Sequence, residues 1–274
     1  MLNKDMNRFV FIAVNFNSSH HTLNYLDSID ILHKEDEDTI EIIIVDNHSH
    51  TEDLKRIEEY AKKISNLKII RLLDNIGYFK GLNQGIGTFD KDGNTMTVVG
   101  NNDLTFDQDF IINLKKIKYD NSVLVIAPNI ITKDGRQQNP LVIDKISLIS
   151  KLKTRIYLSN YYIGQIFRFI NQKFIKKSVV LKNNYGQMKI KSGIGACYVL
   201  TPNFFKYFDR LDDRVFMWGE EALLSNQVES VGGTTLYDPT LIIQHHESAS
   251  AKHIQMKQKY YIVKESYRIY KRYL

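Results

Sequence analysis

Through the first 130 residues, short β-rich apolar runs alternate with segments whose apolar positions recur at helical spacing. Residues 9–16, 40–45, 67–73, 96–99 and 123–127 read as buried strands, each bounded by polar or turn-forming residues. Between the first two, Leu23, Leu26, Ile29 and Leu32 fall on one helical face. Ser49 followed three residues later by Glu52 predicts a capping box, opening a helix whose stripe is Leu54, Ile57, Ala61 and Ile64. Phe110, Ile111, Leu114 and Ile117 predict another helix after the fourth strand. Strands alternating with helices in this way predict βαβ units and a mostly parallel sheet flanked by helices.

The rhythm stops over residues 130–192 and resumes with a strand at 196–200, a helix started by Pro202, a helical run over 221–231 and a last strand at 234–244. No internal repeat or low-complexity tract interrupts the chain, which predicts one α/β domain over 1–250 with halves at about 1–130 and 131–250. Residues 251–274 change character. Met256, Tyr260, Val263, Tyr267, Tyr270 and Leu274 share one helical face, and Lys257, Lys264, Arg268, Lys271 and Arg272 lie mainly around the other. Such a basic amphipathic helix either packs on its own domain or lies on an anionic membrane surface.

Composition narrows the setting. With 43% hydrophobic and 25% charged residues the chain has the balance of a globular protein. One cysteine, Cys197, excludes an internal disulfide and a Cys-x-x-Cys metal site, and favours a reducing compartment. No apolar run nears the ~20 residues of a membrane-spanning helix, and the N-terminus lacks a signal-peptide pattern. The expected location is therefore the cytoplasm, with peripheral contact to the inner face of the cell membrane as an extension. The net charge of +6 is regional: residues 145–208 hold twelve Lys and Arg and no acid, leaving 25 basic against 31 acidic residues elsewhere. Interleaved with Tyr157, Tyr161, Tyr162, Phe167 and Phe169, this stretch points to an anionic partner.

Candidate chemistry collects at the carboxyl ends of the predicted strands, where open parallel sheets bind ligands. Strand one ends in Asn15-Phe16-Asn17-Ser18, strand two in Asp46-Asn47, strand four in Asn101-Asn102-Asp103 and the last in His245-His246-Glu247-Ser248. Any one of these could be an ordinary turn or helix cap; four at one edge suggest a site.

The order of motifs resembles family-2 glycosyltransferases of the GT-A fold, a Rossmann-like α/β architecture, and especially the bacterial rhamnosyltransferase-like branch that builds surface polysaccharides. The matching pieces are Asn15 to Ser18, Val45-Asp46-Asn47, the glycine-rich run from Asn75 through Gly77 and Gly81 to Gly85, Gly100-Asn101-Asn102-Asp103, Gly195-Ala196-Cys197, Phe216-Met217-Trp218-Gly219-Glu220-Glu221, and Tyr237-Asp238-Pro239 with His245.

The resemblance implies a single catalytic domain, with a nucleotide-binding first half and an acceptor-side second half. It implies inverting transfer of a hexosyl or deoxyhexosyl group from a UDP- or dTDP-linked sugar to a hydroxyl of a glycan or polyprenyl-linked acceptor. Asp46 would accept a hydrogen bond from the pyrimidine. Asn15, Asn17, Asn47, Asn83 and Asn102 would line the nucleotide-sugar pocket, and Gly77 and Gly81 would let the backbone approach it. Asp103 and His245 would hold a divalent cation, Mn2+ or Mg2+, bound largely through the substrate because Asn101 replaces the first acid of the fuller motif. Glu221 would be the general base, one methylene longer than the family's usual Asp, with Glu220 orienting the site and Trp218 stacking on an acceptor sugar. Leu223 stands where the family carries a further Asp. The competing readings are a basic nucleic-acid-binding protein and a degenerate transferase that only binds its sugar nucleotide. The first leaves Asp46, Asp103, Glu221 and His245 unexplained, so no nucleic acid is expected as partner. A Rossmann dehydrogenase is excluded by the lack of G-x-G-x-x-G after strand one.

Overall fold

A computed structural model describes residues 7–174, 185–247 and 255–274, and side chains within these except those of 170–174. Ser248, residues 175–184 of the acid-free stretch and residues 251–254 of the tail lie outside the described residues.

Four parallel strands carry the first half: β1 (Arg8–Asn15), β2 (Thr39–Asp46), β3 (Leu67–Arg71) and β4 (Thr95–Asn101), in the spatial order β3-β2-β1-β4. Helices α1 (Ser19–Asp30), α2 (Thr51–Ala61) and α3 (Tyr78–Ile86) make the crossovers. Residues 9–13 of β1 are wholly buried because both faces of the sheet are covered, so the strand reads as an unbroken apolar run. Alternate side chains feed two cores. Phe9, Phe11, Ile42 and Ile44 meet Leu26 and Ile29 of α1, Ile57 of α2 and Phe110, Ile111 and Leu114 of α4 (Phe110–Lys116). Val10, Ile12, Ile43 and Val45 meet Phe79, Leu82 and Ile86 of α3 and Leu224 and Val228 of α7 (Glu220–Glu229).

The second half extends the same sheet. β8 (Cys197–Leu200) inserts antiparallel between β4 and β6 (Val123–Thr132). β9 (Thr234–His245) runs parallel to β6, and β5 (Leu104–Phe106) and β7 (Met188–Ile190) each pair antiparallel with β9. The architecture is α/β, with the parallel β3-β2-β1-β4 run that the alternation predicts and a parallel β6–β9 pair beyond the antiparallel β8. This order brings the carboxyl ends of β1, β2, β4 and β9 and the start of β8 to one edge.

Several local expectations are corrected. The Ser49 capping box does not form: α2 starts at Thr51 behind His50, and the Ser49 hydroxyl instead accepts from Asn15 Nδ2 and the Asn17 amide. Pro202 leads only into a one-turn 3-10 segment, Phe204–Lys206. The region without βα rhythm contains two helices, α5 (Leu148–Tyr157) and α6 (Tyr161–Phe174), linked by residues 158–160. The tail forms α8 (Met256–Tyr270), and of its two readings the structure gives packing on its own domain: Tyr260 is buried against Tyr157 and Tyr161, and Ser266 Oγ donates to the Met217 carbonyl at 2.8 Å.

Candidate functional site

At the end of β1, Asn15 is fully buried and acts as a hub. Its Nδ2 donates to Asp46 Oδ1, Ser49 Oγ and Asp53 Oδ2, each at 2.9 Å, while its Oδ1 accepts from Thr22 Oγ1 at 2.9 Å and Asn102 Nδ2 at 3.2 Å. The Asn102 amide also donates to Ser18 Oγ at 2.7 Å and Thr22 Oγ1 at 2.8 Å. Asp46 is buried, with its second oxygen accepting from the Ser49 amide at 3.1 Å. Burial pushes the Asp53 carboxyl up, but the Asn15 amide and the hydrogen bonds from Ser19 and Ser18 outweigh it and hold the pKa below its ordinary value. The side chains of Asn15 and Asn102 thus splice β1, β2 and β4 together at their ends.

Asn47 performs the same service for the glycine-rich turn. Its Nδ2 donates to Asn75 Oδ1 at 2.9 Å and the Gly77 carbonyl at 3.1 Å, and its Oδ1 accepts from the Ile76 amide at 3.0 Å. Gly77 has φ +98°, and a Cβ there would stand 2.5 Å from the Phe216 carbonyl, so only glycine fits. Gly81 lies against Val14, 3.0 Å from where its Cβ would be, and so brings α3 close to β1. The Asn83 amide faces the other way, donating to the Leu211 carbonyl at 2.9 Å and Asp213 at 3.0 Å. Asn17 alone of this group is exposed, in a left-handed conformation (φ +50°), with its Oδ1 accepting from the His50 amide at 2.8 Å.

Asp103 and His245 come together at the ends of β4 and β9. His245 Nε2 lies 3.3 Å from Asp103 Oδ1, and both side chains are nearly buried. On the far side of the ring, Nδ1 lies 2.7 Å from Gln138 Oε1. An amide oxygen only accepts, so Nδ1 carries the hydrogen, and Nε2 is the nitrogen turned toward the carboxylate, with its lone pair available whenever the ring is neutral. A carboxylate oxygen and an imidazole lone pair aimed at one point are a suitable donor pair for Mn2+, and a smaller part of a Mg2+ shell. Among the described residues no group of three such side chains comes together, so any cation here takes its remaining ligands from substrate and water. His246 turns aside: its Nε2 lies 3.0 Å from Thr105 Oγ1, and burial, followed by the charge of Lys133, lowers its pKa.

The two glutamates open α7, where negative charge suits a helix N-terminus. Glu220 is buried, and its Oε1 accepts from the Trp218 amide at 3.0 Å. Burial, followed by the neighbouring Glu221 charge, raises its pKa to about 8, so it holds a proton at neutral pH. Glu221 is half-buried, and its Oε1 accepts from the Gly195 amide at 3.1 Å. The hydroxyl of Tyr78 donates to the carbonyl of the same Gly195 at 2.9 Å. The Asn101 amide donates to the Ala196 carbonyl at 2.9 Å. Through Gly195 and Ala196, the glycine-rich turn, the Asp103 loop and the Glu221 carboxylate share one support. Trp218 is half-buried beneath Lys259 of α8, whose Nζ is 4.9 Å from the ring centroid.

Residues 11–180 match the family model described as Glycosyl transferase family 2. The chain belongs to that family. No curated protein matches it in sequence. Among solved structures, this family-2 chain resembles GalNAc-T7 with UDP, GalNAc and Mn2+ (TM-score 0.61, 15% identity, 89% of this chain and 44% of that one). It also resembles residues 1–349 of S. aureus TarS (0.56, 13%, 87% and 60%) and the mannosyltransferase PcManGT from Pyrobaculum calidifontis in complex with GDP-Man and Mn2+ (0.54, 12%, 95% and 69%). At these identities the likeness is one of GT-A fold. The chain spans less than two thirds of the length of GalNAc-T7 and TarS.

Four residues around this candidate site escape a sequence reading: Gln138, Asp53, Tyr78, and Tyr270, whose ring packs on Gly219 just before Glu220. Gln138 lies in the irregular stretch after β6, and nothing local distinguishes it. Asp53 looks like a first-turn acid of α2, favoured there by the helix dipole alone. Tyr78 sits inside the glycine-rich motif, where its spacing gives no hint of the hydroxyl's use. Tyr270 belongs to a stripe that reads equally well as membrane-facing.

Proposed function

We propose that the chain is an inverting glycosyltransferase that moves a sugar from a nucleoside diphosphate to a hydroxyl of a glycan or lipid-linked glycan. The observation that carries this is the shared support: the Gly195 carbonyl holds Tyr78 while its amide holds Glu221, beside the loop that brings Asp103 to His245. In this reading the Asp103–His245 pair binds the ion and the Glu221 carboxylate is the base, the two facing the reacting centre from opposite sides. The donor's diphosphate is read into the Asp103–His245 side. Asp103 and His245 would hold a divalent cation there, which would supply neutralising charge for the diphosphate. On the other side Glu221 accepts the proton of the acceptor hydroxyl while its oxygen bonds to the anomeric carbon. Attack opposite the departing phosphate oxygen inverts that carbon.

The protonated Glu220 is proposed to orient the turn and to keep a second negative charge away from Glu221. Asp46, Asn17 and the turn at Gly77 are proposed to shape the nucleotide pocket, with Asn15, Asn47, Asn83 and Asn102 acting through the loops they fasten. Trp218 is proposed as an acceptor contact. The setting proposed is bacterial surface-polysaccharide synthesis with a UDP- or dTDP-linked sugar, in the cytoplasm at the inner face of the membrane. No described helix is long and apolar enough to cross a membrane.

The test is a screen of nucleotide sugars against glycan acceptors, read by product mass, with Glu221→Gln beside the parent. A positioned base is worth ~10²–10⁴ in rate. The variant should lose that much turnover while holding donor normally; equal turnover would remove Glu221 from the reaction, and a larger loss in Glu220→Gln would exchange the two roles.

A further inference from the structure

Among the described side chains, helices α5 and α6 leave a run of large apolar residues exposed. On α5, Leu148, Ile149 and Leu152 lie on one face and are 81%, 67% and 57% exposed. On α6, Tyr162, Ile163 and Ile166 repeat the pattern at helical spacing and are also exposed. Water-facing aliphatic side chains gathered on two adjoining helices mark an interaction surface. Its border is cationic: Lys153 and Arg155 flank the α5 stripe on its two sides, and no acidic residue occurs between 145 and 208.

We infer that the α5–α6 pair is a docking surface for an anionic lipid bilayer, its apolar stripe entering the interface and its Lys and Arg meeting the headgroups. A second copy of this chain fits less well. Apposing two such faces brings like charges together, with no acid in either stretch to receive them. Anionic lipid supplies both the apolar layer and the counter-charge.

Helix α8 links this surface to the candidate site. Its Tyr260 packs between Tyr157 of α5 and Tyr161 of α6, and Lys264 Nζ donates to the Ser159 carbonyl at 2.8 Å. Farther along, Ser266 holds the Met217 carbonyl of the glutamate-bearing turn. A bilayer under α5 and α6 thus has a fixed relation to Glu221. The tail is the brace, and the helix pair is the surface that inserts. Only the use of that relation, delivery of a lipid-linked acceptor, rests on the function proposed above.

The experiment is vesicle co-sedimentation of the full chain, without donor or acceptor, on phosphatidylcholine alone and mixed with phosphatidylglycerol, at low and high salt. The parent should partition onto the anionic vesicles and weaken with salt. Ile149→Glu/Ile166→Glu should lower that partitioning roughly tenfold or more, whereas Leu73→Glu, exposed beyond β3, should not change it. If the double variant fails to fold, Leu148→Ser/Tyr162→Ser at still more exposed positions carries the test. Undiminished binding by a folded variant would overturn the assignment. So would indifference to vesicles in a parent that light scattering shows to be a dimer, with the variant monomeric. A parent that transfers sugar but ignores vesicles would sink the docking surface and leave the transferase reading standing.

Discussion

Gly219 lies directly beneath the ring of Tyr270: a Cβ on Gly219 would stand 2.2 Å from Tyr270 Cδ1. Gly219 is also left-handed at φ +107°, immediately before Glu220, so its conformation and its bareness are both in use. The same contact sets the Tyr270 ring beside the turn that carries Glu220 and Glu221, and burial, followed by the charge of Glu221, pushes its hydroxyl up to about 12.

Gly219→Ala should therefore unseat α8. Strain at such a residue costs about 1–3 kcal/mol before the clash is counted. Thermal unfolding should show the loss, and turnover should fall further than a mere stability change explains at temperatures where the variant is folded. Tyr270→Phe, which keeps the ring, should stay close to the parent in stability. A Gly219→Ala protein with the parent's melting temperature and turnover would show that the tail does not brace the turn.

Glu220 gives a pH signature. Its folded-state pKa, about 8, is above the value of an exposed glutamate. Its contribution is therefore full at pH below the unfolded pKa, and is lost as pH rises through the folded one. Replacing it with Gln removes the titration while keeping the side chain's shape. Glu220→Gln should raise the melting temperature relative to the parent more at pH 8 than at pH 5. An offset that is the same at both pH values would mean that Glu220 is ionised in the fold.

Gln138 should matter to metal affinity although it is not itself a ligand. By accepting the Nδ1 hydrogen of His245 it fixes which nitrogen faces Asp103. Loss of such an orienting partner typically costs 10–100-fold in affinity. Gln138→Leu should raise the Mn2+ concentration needed for half-maximal turnover by about that factor, with turnover in saturating Mn2+ less affected. An unchanged Mn2+ dependence would remove Gln138 from this role.

The sheet was legible because its strands are buried on both faces and stand out as apolar runs between helical stripes. What periodicity missed has physical reasons. β5 and β7 are three residues each, too short to show alternation. α5 and α6 leave Leu148, Ile149, Leu152, Tyr162, Ile163 and Ile166 in water, so a reading that equates apolar with core has no frame for them. Ser49 shows how a local signal is overridden: a capping box was available, but Asn15 and Asn17 claim the hydroxyl. Motif order singled out Asp103, His245, Glu220 and Glu221; the structure brings the first two within 3.3 Å and sets the glutamates at the start of α7. The Asn residues stood out by motif, while the bonds that fasten them depend on partners up to 130 positions away, as for Asn83 and Asp213. Tyr270 and Gly219 became a pair only when the tail folded back.

The most direct test of the central claim is a thermal-shift titration of the parent and Asp103→Ala with UDP, dTDP and GDP, each with and without Mn2+, and with an oligonucleotide as control. A ligand at a hundred times its Kd stabilises by about 2.7 kcal/mol, or roughly 5–10 °C for a chain of this size. The account predicts such a shift for at least one nucleoside diphosphate in the parent, only when Mn2+ is present, and none in folded Asp103→Ala. A shift that ignores Mn2+, one that survives in Asp103→Ala, or stabilisation by the oligonucleotide alone would contradict it.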